Sequence, residues 1–118
     1  MSHETLTRYC NLDYDREVAI VAQLQSNDKK LVGVSRLIVE PDGKNGEFAV
    51  LVGDKWQGMG LGAKLLDAII AVGSDLHLER IFGMIMQTNY RMINLCSKKG
   101  FESIILDEET VEMSLKLL

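Results

Sequence analysis

The chain has 118 residues, of which 47% are hydrophobic and 25% charged, and it contains one proline. This length favours a single domain, and this composition excludes disordered, collagen-like and disulfide-stapled chains. Thirteen Lys and Arg residues against seventeen Asp and Glu residues give a net charge of −4. Nucleic acid is therefore not expected as a partner, because proteins that bind it usually carry a basic excess.

The cysteines and the apolar segments predict a cytoplasmic protein with no membrane partner. Cys10 and Cys96 lie far apart and belong to no Cys-x-x-Cys pair, so neither a zinc site nor a disulfide is predicted. Both are expected to be reduced thiols, as in cytosolic proteins. The first residues lack the basic start of a secretory signal, and the longest apolar stretch, 65–72, is far shorter than the ~20 residues that span a bilayer.

The first half of the chain predicts three strands. Residues 16–24 and 30–39 are rich in Val and Ile and flank a polar turn at 26–28, so they are predicted to form an antiparallel hairpin. Turn-forming residues then lead into 47–52, a short apolar run that predicts a buried third strand. Ahead of them, residues 5–9 are compatible with a short helix.

The middle of the chain predicts a strand between two helices. A loop with four glycines, 53–62, precedes apolar residues at helical spacing, which predict an amphipathic helix over 60–74. The next apolar run, 81–86, predicts a strand parallel to the third, because the connection has the length of a βαβ crossover. Asn89 then begins a second short helix, which ends at Gly100.

The end of the chain predicts a closing hairpin made of 101–106 and 110–118. The second of these segments alternates apolar and polar residues with a clean period of two. The predicted fold class is therefore α/β, in the order (α)-β-β-β-α-β-α-β-β. Its mixed sheet is antiparallel at both ends and has a parallel βαβ unit in the centre.

The glycine-rich loop is the segment that most clearly predicts a binding site. Glycines allow consecutive backbone N–H groups to turn toward one point, because no Cβ stands in the way. The helix that follows adds its unpaired N–H groups and the positive end of its dipole. Such a loop suits a phosphate or diphosphate, and a tight, well-packed turn is the competing interpretation.

A dinucleotide is one candidate ligand, since Gly58, Gly60 and Ala63 formally match the pattern Gly-x-Gly-x-x-Gly/Ala. That pattern requires an acidic residue at the end of the following strand, to hold the ribose. Here the strand ends in Gln-Thr at 87–88, and the chain is short for a dinucleotide-binding domain. A Walker A loop is excluded as well, because no Gly-Lys-Ser/Thr occurs. Nucleotide binding is therefore disfavoured.

The loop and the second helix together resemble the GNAT acyltransferases. The signature of that family is Gln/Arg-x-x-Gly-x-Gly/Ala, which Gln57, Gly60 and Gly62 satisfy in KWQGMGLGAKLL. A second element of the family is an Asn followed by a helix that closes on Gly-Phe. It is met from Asn89 to 100–101 in NYRMINLCSKKGF.

The stretch from residue 13 to the glycine-rich loop is especially similar to GNAT domains fused to acyl-CoA-synthetase-like regions, which act as protein lysine acetyltransferases. The resemblance implies one GNAT-type domain over 1–118. Compared with the family's fold, the chain is expected to lack the first strand and the two helices that usually come at its start. A homo-oligomer or a larger parent chain would then complete the sheet at the exposed edge of 16–24.

The resemblance further implies acetyl-CoA as the co-substrate and no metal. Its pantetheine arm is expected to pair with the edge of the third strand, and its diphosphate is expected to lie on the amides of the loop. The residues implied as acetyl-CoA contacts are Leu51, Val52, Gln57, Gly58, Met59, Gly60, Leu61, Gly62, Ala63 and Asn89.

Glu47 is the predicted general base, because the resembling lysine acetyltransferases have a glutamate at this place in the strand. Glu47 opens an otherwise apolar strand, so partial burial is expected to favour this role. A solvated carboxylate just after a turn is the competing interpretation. Glu40 and Asp54 are the reserve candidates.

Two residues of the second helix have alternative interpretations. Cys96 stands where the family frequently has a tyrosine as general acid, and a buried, small hydrophobic residue is the favoured alternative. Asn89 is predicted both to cap the helix and to bind, through its side-chain amide, the carbonyl groups of the pantetheine arm. The resulting function is transfer of an acetyl group from acetyl-CoA to an amine, expected to be a protein lysine. The alternative is a non-catalytic acyl-CoA-binding regulatory module.

Overall fold

The computed structural model describes residues 4–10, 16–24, 30–58 and 60–118. These residues form seven strands, two α-helices and a 3₁₀ turn at Asp54–Trp56. The elements are β1 (Glu4–Cys10), β2 (Glu17–Leu24), β3 (Leu31–Val39), β4 (Asn45–Val52), α1 (Leu61–Asp75), β5 (Arg80–Met86), α2 (Tyr90–Lys98), β6 (Glu102–Ile105) and β7 (Thr110–Lys116). Neither helix is long and apolar enough to cross a membrane.

The strands form one sheet in the order β1-β2-β3-β4-β5-β7-β6. Every neighbouring pair is antiparallel except β4 and β5, which are parallel and joined through α1. The predicted α/β class, the two terminal hairpins and the central βαβ unit are thereby confirmed. The polar turn predicted at 26–28 lies outside the described residues.

The prediction for the start of the chain is wrong. Residues 5–9 belong to strand β1, which pairs with β2 from Glu4↔Leu24 to Cys10↔Val18. A short isolated helix is marginal in water, whereas a strand of this length can satisfy its backbone groups along an existing sheet edge. A strand therefore precedes the hairpin, and the edge of β2, predicted to be exposed, is covered by β1.

Both helices pack on one face of the sheet. In β4, Gly46 and Phe48 are buried on the face that carries the helices, while Glu47, Ala49 and Leu51 point to the opposite face and are exposed. The side chains of α1 that face the sheet are fully buried. No described helix covers the opposite face, which leaves it open to solvent.

The parallel strands β4 and β5 separate after a short ladder. Their register runs only from Asn45↔Arg80 to Glu47↔Phe82, so the following residues of β4 have no partner on β5. At this point the ring of Phe48 lies across Gly83. A Cβ at Gly83 would come within 2.8 Å of the ring and 2.9 Å of the Phe48 carbonyl oxygen. A gap between the two strands opens beyond this contact.

The two helices begin and end close to their predicted positions. Gly60 is the N-cap of α1 and has a φ of 84°, a left-handed conformation that suits glycine. Asn89 is the N-cap of α2, and its side-chain oxygen accepts a hydrogen bond of 3.2 Å from the Met92 N–H. Gly100, with a φ of 94°, follows the end of α2. The predicted cap and stop of the second helix are confirmed.

Candidate functional site

The gap between β4 and β5 opens into a cavity of about 580 Å³. Its walls come from the end of β4, the glycine-rich loop, the first turn of α1 and one face of α2. The lining residues are Val50, Leu51, Val52, Gln57, Gly58, Gly60, Gly62, Ala63, Asn89, Arg91, Met92, Asn94, Leu95 and Lys98. The structure thus brings to one cavity eight of the ten residues predicted to contact acetyl-CoA.

The other two predicted contacts do not line the cavity as side chains. Leu61 is only 4% exposed and packs in the hydrophobic core, so its backbone alone could serve the loop. Met59 lies outside the described residues.

The loop takes a backbone conformation that requires glycine. Gly58 and Gly60 have φ values of 78° and 84°, which side chains other than hydrogen rarely tolerate. Within the described residues, the backbone N–H groups of Gly58, Gly60 and Gly62 donate to no carbonyl oxygen. The first turn of a helix leaves its N–H groups unpaired and carries positive partial charge. The loop therefore has free donors where an anion could bind.

The end of β4 offers backbone groups to the gap. Because the Gly53 N–H donates to the Val32 carbonyl of β3, the Val52 carbonyl points the other way, toward the gap. The N–H and C=O groups of one strand residue share a direction, and this direction alternates along the strand. Val50 and Val52 therefore present their backbone groups to the gap, where an extended ligand could pair with them.

The side chain of Gln57 connects the loop to the strand. Its amide nitrogen donates to the Val52 carbonyl at 3.1 Å and approaches an Asp54 carboxylate oxygen at 3.4 Å. Its side-chain oxygen is 3.5 Å from a guanidinium nitrogen of Arg91 on α2. Gln57 thus holds one of the backbone acceptors at the gap and links three walls of the cavity.

Glu47 lies outside the cavity. It is the last residue of the β4–β5 ladder and its side chain is exposed on the open face of the sheet. The expected partial burial is therefore wrong, because the strand is apolar only on the face that carries the helices. Of the reserve candidates, Asp54 is exposed beside Gln57, and Glu40 is half-buried after β3.

Cys96 is fully buried in the core and does not line the cavity. Burial raises the pKa of its thiol to about 11. The interpretation of Cys96 as a packing residue on the inner face of α2 is confirmed. Elsewhere in the described chain, no group of three or more His, Cys, Asp or Glu side chains is placed to hold a metal ion.

Sequence reasoning missed six of the lining residues, namely Val50, Arg91, Met92, Asn94, Leu95 and Lys98. Five of them lie on α2, and the spacing of 91, 94, 95 and 98 places them on one side of a helix. That spacing, counted from Asn89, was the available signal. The buried Cys96 and most of the cavity-lining residues of α2 lie on different sides of the helix.

The sequence of the chain is similar to a known protein family and to a curated protein. The sequence profile of the acetyltransferase (GNAT) family matches residues 2–101. Acetyltransferase PA5475 of Pseudomonas aeruginosa is 29% identical over 97 residues, which cover 81% of this chain and 52% of that protein. The chain therefore spans about half the length of this curated relative.

Several solved structures share the fold. The GNAT domain of S. lividans PAT has a TM-score of 0.76 at 22% identity, with 91% of this chain and 64% of that chain covered. A spermidine N-acetyltransferase chimera of Vibrio cholerae SpeG and hSSAT has a TM-score of 0.74 at 18% identity, covering 90% and 70%. The Campylobacter jejuni N-acetyltransferase PseH, in complex with acetyl coenzyme A, has a TM-score of 0.69 at 17% identity, covering 87% and 70%. At these identities the likeness shows the fold alone.

The assignment of the chain to a family is based on the match to the sequence profile. The match spans most of the chain and includes the glycine-rich loop, both helices and the parallel strands. The chain belongs to the acetyltransferase (GNAT) family.

Proposed function

We propose that this chain transfers the acetyl group of acetyl-CoA to an amine, with a lysine of another protein as the acceptor. The observation that carries the proposal is the joining of two features in one cavity. Glycine N–H groups without a described acceptor lie beside backbone groups of β4 that have lost their strand partner. Acetyl-CoA has a diphosphate for the first and an amide-bearing pantetheine arm for the second.

The cavity suits the whole ligand chemically. Its glycines leave room for a diphosphate to approach the backbone N–H groups, since no atom lies within 4 Å of the place that a Cβ of Gly60 would take. The apolar side chains of Val50, Met92 and Leu95 line the same space and suit the pantetheine arm. No Asp or Glu is among the described lining residues, so nothing in this lining repels phosphate.

The transfer forms a C–N bond and breaks a C–S bond. The amine must be neutral when it attacks the thioester carbonyl carbon, so it gives up a proton to a base or to water leading to a base. Coenzyme A leaves as a thiolate and takes up a proton. The backbone groups at the end of β4 could orient and polarise the thioester.

We assign the base to Glu47, acting through water. Glu47 lies at the point where the two parallel strands separate, on the face opposite to α1 and α2. An acceptor that approached from this open face would meet the carboxylate before the gap. Val50 lies three positions after Glu47, roughly 10 Å along a strand, and this separation calls for a water relay.

The choice of a protein lysine is supported by the likeness to the GNAT domain of S. lividans PAT and by the open face, which a protein surface could approach. A polyamine is the competing acceptor, since several structural neighbours are spermidine N-acetyltransferases.

One of the structural neighbours, a spermidine N-acetyltransferase, is a dodecamer. Assembly of this chain with further copies, or with a longer chain, is part of the proposal. Such assembly would use β1 and β6, the two end strands of the described sheet, rather than β2.

A non-catalytic acyl-CoA-binding module is the second candidate function. The observation that favours it is Cys96, which is buried outside the cavity and cannot serve as the general acid of the family. A module of this kind would bind acetyl-CoA with the same cavity but would release no coenzyme A.

Two measurements test the proposal. Calorimetric titration with acetyl-CoA and with NAD should show binding of acetyl-CoA alone. Release of coenzyme A should then be followed with a lysine-rich protein, the same protein with its lysines blocked, and spermidine. Release that depends on free lysines supports the enzyme and its acceptor. Binding without release with any amine supports the module, and absence of binding rejects both.

A further inference from the structure

The cavity has an uneven charge that the glycine-rich loop does not explain. Arg91 and Lys98 of α2 both line it, and its described lining contains no Asp or Glu. The whole chain, by contrast, has a net charge of −4. Two cations in an acidic chain therefore line the same cavity, which favours a ligand with more than one negative group.

Arg91 reaches across the cavity to the loop. Its guanidinium nitrogens are 3.7 Å from the position that a Cβ of Gly58 would take, and one of them is 3.5 Å from the Gln57 side-chain oxygen. No carboxylate of a described residue pairs with it. Among the described residues, a neutral amide is thus the group that holds its charge beside the loop.

The position of Arg91 is unfavourable for the helix itself. It lies in the first turn of α2, which contains no acidic residue. The N-terminal end of a helix carries positive partial charge, so a cation there is disfavoured. Helix stability does not account for an arginine at this place, whereas an anion in front of it would.

Lys98 is the second cation on the cavity side of α2. It follows Arg91 by seven residues, which is two helical turns and roughly 10.5 Å along the axis. Its neighbour Lys99 pairs with Asp67 of α1 at 2.8 Å, whereas Lys98 has no ion pair with a described residue. Leu95, between the two cations, lies 3.8 Å from the Cβ position of Gly62. The cavity face of α2 thus runs along the loop, with Arg91 at one end and Lys98 beyond the other.

We propose that Arg91 binds the diphosphate of acetyl-CoA together with the loop and that Lys98 binds its separate ribose 3′-phosphate. The inference rests on the proposed function and adds a preference for the 3′-phosphorylated ligand. Arg91 is adjacent to the glycines that would hold the diphosphate. Lys98 is too far along α2 to share that group, so it is left for an outlying phosphate. On binding, Arg91 exchanges the Gln57 amide for a phosphate oxygen, a stronger charge-assisted partner.

The test compares two ligands on three variants. Dissociation constants for acetyl-CoA and for acetyl-3′-dephospho-CoA are measured on the wild type, Arg91→Gln, Lys98→Gln and Lys116→Gln. Lys116 is exposed at the end of β7 and does not line the cavity, so it is the matched control. Circular dichroism and thermal melting check that each variant is folded.

Each cation has its own expected pattern. Arg91→Gln should weaken both ligands by about tenfold or more, because both carry the diphosphate. Lys98→Gln should weaken acetyl-CoA by about tenfold and leave the dephospho ligand unchanged. Lys116→Gln should change neither. The wild type should prefer acetyl-CoA to the dephospho ligand, and Lys98→Gln should abolish this preference.

The opposite outcomes are distinct. Equal wild-type affinity for the two ligands overturns the role of Lys98, and unchanged affinities in Arg91→Gln overturn that of Arg91, while the proposed function survives both. Equal losses on both ligands in Lys98→Gln overturn its assignment to the 3′-phosphate. Failure of the wild type to bind either ligand rejects the proposed function itself, and the inference with it.

Discussion

Glu47 illustrates how one residue can lie near a site without lining it. Its carboxylate is exposed at the last pair of the β4–β5 ladder, on the face of the sheet away from the cavity. Replacement by Gln keeps the size of the side chain and removes the base. We expect Glu47→Gln to leave the acetyl-CoA dissociation constant unchanged and to lower kcat/KM by about a hundredfold or more, the range typical of a lost general base.

The Glu47 variant should be compared with Glu102→Gln, which changes an exposed carboxylate on the same open face, at the far edge of the sheet. Rates of coenzyme A release are measured from acidic to alkaline pH. Glu102→Gln should match the wild type throughout. If Glu47→Gln also matches it at every pH, the base must be sought elsewhere, and Asp54 is then the first candidate.

Cys96 leads to a prediction about stability rather than catalysis. Burial raises the pKa of its thiol from 9.0 to about 11, so the unfolded chain loses this proton at lower pH than the folded chain. Between these values the unfolded state binds fewer protons, and stability therefore falls as pH rises. Between pH 9 and pH 11 the free energy of unfolding should fall by up to about 1.4 kcal/mol per pH unit. Below this range the contribution of the Cys96 thiol to stability should not depend on pH.

Denaturant unfolding of the wild type and of Cys96→Ala, from pH 7 to pH 11, measures this contribution. Other groups titrate in the same range, so the quantity to follow is the difference between the two proteins. Cys96→Ala should be less stable by about 1 kcal/mol at pH 7, and this deficit should shrink or reverse toward pH 11. A deficit that stays constant would mean that the thiol is not shielded from water.

At the scale of elements, a glycine of the loop can be compared with a glycine elsewhere that has the same kind of backbone conformation. The comparison distinguishes an effect of backbone strain from an effect on ligand binding. Gly60 and Gly43 have φ values of 84° and 71°, and a Cβ at either would meet no atom within 4 Å. Alanine should therefore cost about 1 kcal/mol of folding stability at both positions, through backbone conformation alone. Gly43 lies in the turn before β4, far from the cavity, and is the matched control.

Acetyl-CoA affinity should distinguish these two variants. Gly60→Ala should raise the dissociation constant by about tenfold, because its backbone N–H can no longer keep its place among the loop donors. Gly43→Ala should bind as the wild type does. Equal affinities in the two variants would remove the loop from the binding site.

The close packing of β4 against β5, just before the two strands separate, depends on Gly83. A Cβ there would come within 2.9 Å of the Phe48 carbonyl oxygen, a backbone atom that cannot move without moving β4. At Gly46 the closest atoms, at 2.8 and 2.9 Å, are instead the ends of the Leu37 and Leu78 side chains. Gly83→Ala should thus lose roughly 3 kcal/mol in denaturant unfolding and Gly46→Ala about 1 kcal/mol. The reverse order would show that β4 yields more easily than its side chains.

The sequence predicted most elements because their periodicities are set by burial on one face. β7 alternates cleanly, and α1 repeats apolar residues every three or four positions. β1 was missed because neither of its faces is uniformly apolar, and pairing with β2 decides its conformation. The cavity side of α2 was missed for a related reason. Residues such as Arg91 and Lys98 line a space rather than a packed interface, so hydrophobic periodicity does not mark them.

At the scale of the whole molecule, the sheet has two faces with different tasks. One face carries α1, α2 and the cavity that we assign to acetyl-CoA, while the opposite face is left open by the described residues. The two substrates would thus approach the gap between β4 and β5 from opposite sides. This arrangement allows acetyl-CoA to bind before any acceptor is present, so ligand binding can be measured by itself.

Ligand binding should therefore stabilise the entire fold. The cavity joins β4, the loop, α1 and α2, so unfolding of any of them would release the ligand. At a hundred times its dissociation constant, a ligand adds about 2.7 kcal/mol to the free energy of unfolding. For a domain of this length that corresponds to a rise in Tm of roughly 10 °C.

A thermal shift series with acetyl-CoA, coenzyme A and NAD measures this rise. Acetyl-CoA and coenzyme A should raise Tm together, because they share the diphosphate and the pantetheine arm. NAD should leave Tm unchanged, because Gln87 and Thr88 follow β5 and offer no carboxylate to hold its ribose. An equal rise with NAD would show that the loop binds diphosphates without regard to the pantetheine arm, and the gap between the strands would then need another occupant.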